Sequence, residues 1–131
     1  MSKATGTFTV TGGSEQTIRE APGEVKITRV AGTQAFAGGI VGQGSVEWVF
    51  CYQPDLSGSF VGYQRIEGTV DGLAGSVVLE SIGEHADGKS RGDWRIVDGS
   101  GTGELAGVTG HGTFHAAGGR EVEYELEYWL G

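Results

Sequence analysis

Glycine interrupts this chain so often that nearly every window long enough for a helix contains one; 26 of the 131 residues are glycine. In a helix interior each glycine costs about 1 kcal/mol relative to alanine. In a sheet it permits bulges, tight corners and the close approach of two backbones. The densest stretch, Asp98–Gly112, reads DGSGTGELAGVTGHG and holds six glycines in fifteen residues. It reads as turn and bulged strand at the corner of a closed sheet, and the rest of the chain can be organised around it.

Between the glycines the sequence alternates. Ala4–Thr11 sets Phe8 and Val10 against Thr7, Thr9 and Thr11, and Ser14–Glu20 extends that strand or forms an edge. Val25–Phe36 is rich in β-branched residues. Ile40–Tyr52, the most apolar run, puts Val46, Trp48, Phe50 and Tyr52 opposite Ser45, Glu47, Val49 and Cys51. In Phe60–Val70, Tyr63, Arg65 and Glu67 share the outer face, so Gln64 points inward with Phe60 and Ile66. Gly75–His85 follows a hairpin signal at Asp71-Gly72; Ser90–Val97 follows another at Asp87-Gly88 and opposes Trp94 and Ile96 to Arg91, Asp93 and Arg95. After Gly112–Ala116, the last strand, Arg120–Leu130, sets Val122, Tyr124, Leu126 and Tyr128 against four glutamates. Eight such runs with no helical period predict an all-β fold, an eight-stranded antiparallel up-and-down β-barrel, with a strongly curled sandwich as the alternative. Closure is favoured because it removes exposed edges. An eight-stranded barrel is packed solid or holds one small ligand.

The whole of residues 1–131 reads as a single domain, with no break in composition. A net charge of −8 argues against nucleic acid and against an anionic membrane surface as partners. The N-terminus lacks an apolar signal region, and no run approaches a membrane span. A single cysteine, Cys51, rules out an internal disulfide and fits a reducing compartment, so the cytoplasm is expected.

The segments FVGYQRIEG (Phe60–Gly68), WRIVDGSGTGELAGVTGHGTF (Trp94–Phe114), GSVEW (Gly44–Trp48) and the closing strand resemble a bacterial family, domain-of-unknown-function family 3224. The GSGTGELAG motif is the most specific part. The resemblance implies an allene oxide cyclase-like barrel, eight antiparallel strands around a small cavity, in proteins that often form oligomers. No activity comes with it. Two departures stand out: Gln64 takes the place of a glutamate common in FVGxE, and Ser81 the place where a histidine often stands in the next strand. If both line the cavity, two titratable groups have become neutral.

The chemistry is less legible. His111 and His115, in H-x-x-x-H spacing, would lie about 13 Å apart on a strand at ~3.3 Å per residue, too far to share a metal; they are expected to point outward, and no metal site or cofactor is predicted. Gly99–Gly107 lacks the lysine and helix of a phosphate-binding loop. Cys51 has no electropositive neighbour in sequence and reads as a packed hydrophobe. Glu47 and Glu80 lie in apolar strands; in the opposite register either would face inward, where desolvation makes a carboxyl an acid or base. The inner wall is expected to carry Trp48, Phe50, Tyr52, Trp94, Phe114 and Tyr128 as ligand-binding residues, with Gln64, Tyr124 and Glu47 as catalytic candidates. Two functions fit: a cofactor-independent cyclase or isomerase acting on a hydrophobic substrate, and a hydrophobic small-molecule-binding module without chemistry. An oligomeric scaffold with a packed core is a third. Apolar residues on outer faces, Val49, Val61, Tyr63 and Trp129, together with the resemblance, point to a homo-oligomer.

Overall fold

Alternation decides which side chains fill the interior, and the computed structural model, which describes residues 1–131, carries it through every strand. The strands are β1 (Ser2–Arg19), β2 (Lys26–Gly38), β3 (Ile40–Tyr52), β4 (Gly58–Val70), β5 (Leu73–Ala86), β6 (Lys89–Ile96), β7 (Thr109–Ala116) and β8 (Glu121–Trp129). They pair in chain order, each antiparallel to the next, and β8 returns to β1 to close the barrel. The core runs continuously from Ala4, Ile40 and Val70 at one end through Phe8, Phe36, Trp94 and Tyr124 to Phe60 and Phe114 towards the other. Outer positions carry charge, but Val49, Val61 and Ile82 are direct register partners and line up as an exposed apolar row beside Tyr63.

Inward-facing glycines explain how a barrel this narrow holds large rings. Gly83 pairs with Phe60 and Gly92 with Phe114. A Cβ at either glycine would fall 2.3 or 2.4 Å from the ring of its partner, so each phenylalanine lies over bare backbone. At Gly62 the constraint is backbone itself: a Cβ there would sit 1.9 Å from the Glu47 carbonyl oxygen.

Two expectations change. Val10 keeps the face of Phe8, its register partner being the inward Gln34, but it is not buried: β8 reaches only as far as Thr9, and Val10 stands beyond that seam, exposed. Beyond Thr9, β1 pairs only with β2, and Val10–Arg19 is exposed throughout. Of the glycine-rich stretch only Thr109–Gly112 is strand, the start of β7; the residues before it, Asp98–Val108, form a loop with one short 3₁₀ turn, Gly103–Leu105, rather than a bulged strand. This loop stands in for a strand along the part of β5 that β6 leaves unpaired. The backbone N–H groups of Ala74, Ser76 and Val78 donate to Glu104 Oε1, Thr102 Oγ1 and Ser100 Oγ at 3.0–3.1 Å. Leu105 and Val108 are driven into the core and close that end of the barrel. No helix is long and apolar enough to cross a membrane.

Candidate functional site

Polar side chains enter the interior at two levels. In the middle, Gln34 from β2, Gln64 from β4 and Trp94 from β6 form one chain. The Trp94 indole N–H donates to Gln64 Oε1 (2.8 Å), and Gln64 Nε2 donates to Gln34 Oε1 (2.9 Å). Both glutamines are 0 % exposed, and Gln34 Nε2 has no acceptor. Room for this arrangement comes from Gly44, the register partner of Gln34, where a Cβ would press within 2.8 Å of the Phe36 ring and 3.3 Å of Gln34 Oε1.

The second level is the end opposite the glycine-rich loop. Trp48, Phe50 and Tyr52 follow one another on the inner face of β3 and remain half-buried. Phe50 stacks on Tyr52 (centroids 5.5 Å, 12°) and on the buried Phe60 (5.0 Å), and Trp48 meets both phenylalanines at 5.4–6.0 Å. Around these rings stand polar groups. Trp48 Nε1 donates to Ser81 Oγ (2.7 Å), Glu15 Oε2 accepts from Thr28 Oγ1 (2.7 Å) and Tyr52 OH (3.0 Å), and His85 Nδ1 lies 2.8 Å from Ser90 Oγ. Burial, reinforced by the bond to Glu15, pushes the Tyr52 phenol up to about 12.

The expected site residues therefore separate. Trp48, Phe50 and Tyr52 line the open end; Trp94, Phe114 and Tyr128 are packed in the core. Of the catalytic candidates, Gln64 faces inward, with both ends of its amide engaged. Tyr124 is inward too, but its hydroxyl accepts from Ile40 N–H and donates to the Ala37 carbonyl, both at 2.8 Å, and so fastens the β2–β3 turn. Burial raises the Tyr124 phenol above its ordinary value. Tyr128 donates to Asp71 Oδ2 (2.6 Å) at the same end. Glu47 is on the outer wall, exposed and opposite Tyr63, because β3 keeps the register in which Trp48 points inward; it cannot act with Gln64 or Tyr124. Glu80 is also on the outer wall, paired with Arg95. His111 and His115 point outward, each beside a glutamate of β8. A cleft of about 580 Å³ runs along the outside of β5–β7, lined chiefly by polar residues such as Glu84, Arg91, Asp93 and His115. His85, two residues before the Asp87-Gly88 turn, is half-buried and bonded to Ser90. Sequence reasoning missed Gln34, Ser90 and Glu15, none of which stands out against its neighbours in the chain.

The two departures noted in the sequence, Gln64 and Ser81, both face this interior and are both fully buried. Ser81 receives the Trp48 indole, and Gln64 receives that of Trp94. Each neutral side chain thus satisfies an indole N–H without placing a charge in an apolar barrel.

No curated protein matches the chain. A crystal structure of a protein with unknown function from the DUF3224 family of Shewanella oneidensis MR-1 is similar over 100 % of this chain and 98 % of its own, with 25 % identity and a TM-score of 0.80. The family model described as "Protein of unknown function (DUF3224)" matches residues 4–128. With almost every strand of the barrel inside that match, the chain belongs to the DUF3224 family.

Proposed function

We propose that this protein is a small-molecule-binding barrel that takes a hydrophobic ligand at its aromatic end. One observation carries the reading: Trp48, Phe50 and Tyr52 form a continuous aromatic row, edge-to-face between the first two and stacked between the last two, yet stay half-buried at the end that the glycine-rich loop does not close. Apolar rings left half-buried at the end of a barrel, with a few polar groups around them, are what an apolar ligand would cover. Glu15, Thr28, His85 and Ser90 supply those polar groups.

Binding is preferred over a cyclase or isomerase because the catalytic candidates have other work. The Gln64 amide is engaged at both ends, Tyr124 fastens a turn, and Glu47 lies outside. Confinement of a flexible substrate is the contribution such a barrel would make to catalysis. The test is a fluorescence titration with the neutral probe N-phenyl-1-naphthylamine. Saturable binding is expected, weakened about tenfold by Trp48→Ala and by Phe50→Ala, a loss of about 1.4 kcal/mol each. Absence of binding, or equal affinity in both variants, overturns the reading.

A further inference from the structure

The direction of the buried amide chain is dictated by its first member. An indole nitrogen carries one N–H and no acceptor, so the atom of Gln64 that faces Trp94 must be the carbonyl oxygen. The Gln64 NH₂ is then turned to Gln34, which must meet it with its own oxygen. Reversing the Gln34 amide alone would set two NH₂ groups against each other. Reversing both would set an NH₂ against the indole N–H. Gln34 therefore offers the interior a donor and nothing else, and that donor is fully buried without a protein acceptor. Buried donors are nearly always paired.

The register places this donor beneath the aromatic end. Gln34 is the partner of Gly44 and Gln64 that of Val46, so on the same face of β3 Trp48 lies two residues nearer the mouth than the Gln64 level and four nearer than the Gln34 level, about 7 and 13 Å at ~3.3 Å per residue. Trp48 is half-buried and makes one side-chain hydrogen bond, to Ser81. A ligand seated on Phe50 and Phe60 reaches the amides by moving past it.

We infer that Gln34 is the polar anchor of the ligand site: it donates a hydrogen bond to a carbonyl oxygen of the hydrophobic molecule taken at the aromatic end, and the fixed direction of the chain from Trp94 rejects ligands that present a donor there. The inference rests on the aromatic end being the ligand site, and the experiment separates the two. Acetophenone and α-methylstyrene share a shape and differ in C=O against C=CH₂. In a chemical-shift titration of the full chain, acetophenone is expected to bind at least tenfold more tightly and to shift the Gln34 side-chain amide signal. Gln34→Leu should weaken acetophenone to the level of α-methylstyrene while leaving the hydrocarbon unchanged. Trp94→Phe, which keeps both glutamines but frees their amides to reverse, should narrow the preference. Should Gln34→Leu fail to fold, the amide shift in the unaltered protein and the Trp94→Phe result decide. Equal affinities sink the inference and leave the aromatic end standing; no binding of either compound sinks both. A preference that survives Gln34→Leu overturns it. So does a water contact to the Gln34 amide that persists at saturating acetophenone, which would assign the acceptor to a resident water.

Discussion

Replacing Tyr124 with phenylalanine removes one oxygen atom and two hydrogen bonds. The hydroxyl sits where Gly6 leaves an opening: a Cβ on Gly6 would fall 2.6 Å from it. On its far side is the N–H of Ile40, a residue with no exposed surface, at 2.8 Å. The carbonyl of exposed Ala37, its other partner, can turn to water, but the Ile40 N–H cannot. An unpaired buried donor costs about 1–3 kcal/mol. With an unfolding entropy of roughly 2 cal/mol/K per residue, a loss of about 2 kcal/mol in a chain of this size lowers Tm by roughly 7 °C. Thermal and urea denaturation followed by circular dichroism give the number. Probe affinity at the aromatic end, on the other side of the barrel, should be unchanged. A Tm within about 2 °C of the parent would mean that the hydroxyl is not what satisfies Ile40; lost probe binding with an intact fold would return Tyr124 to the ligand site.

Gly62→Ala sets a Cβ against the Glu47 carbonyl, so β3 and β4 must part; a loss of about 3 kcal/mol or more is expected, read as lower Tm and soluble yield. Gly119→Ala, where nothing lies within 4 Å, is the control and should leave Tm in place. For Tyr52 the folded barrel holds the phenolic proton more tightly than the unfolded chain, whose tyrosines ionise near pH 10. Its contribution to stability is therefore complete below about pH 10 and is lost as pH rises through about 12. Ultraviolet titration should show a late-ionising phenol that Glu15→Gln brings forward.

Much of the barrel was legible because strand alternation in β4, β6 and β8 sets charged residues against apolar ones residue by residue, which fixes both the element and its inner face. Gln64 was placed correctly for that reason. Gln34 was not found, because its strand reads TRVAGTQAFAG: outward Ala31 and Ala35 and inward Gly32 are all small, and no contrast marks the face on which the amide lies. Its bond to Gln64 also spans an intervening strand, which no local pattern encodes. Glu47 remained ambiguous because valines occupy both faces of β3, Val46 inside and Val49 outside. The loop after β6 was excluded as a long helix by its glycines. Its role as a surrogate strand depends on three side chains, Ser100, Thr102 and Glu104, accepting from β5 backbone, and nothing in their spacing announces that.

Closure by β1 and β8 also shapes how the chain reaches its native state. Every other strand pairing joins neighbours in sequence, so hairpins can form one after another from short-range encounters. The last pairing, Ser2 with Tyr128 through Thr9 with Glu121, joins residues more than a hundred positions apart. By loop-closure entropy that step costs only about 2 kcal/mol more than closing a ten-residue hairpin, since the cost grows with the logarithm of length. It comes after the local steps in any such order, and until it occurs the curled sheet carries two raw margins. The time the chain spends between its last hairpin and this seam is thus the interval in which one molecule can zip onto another, and faster closure of β1 on β8 shortens it.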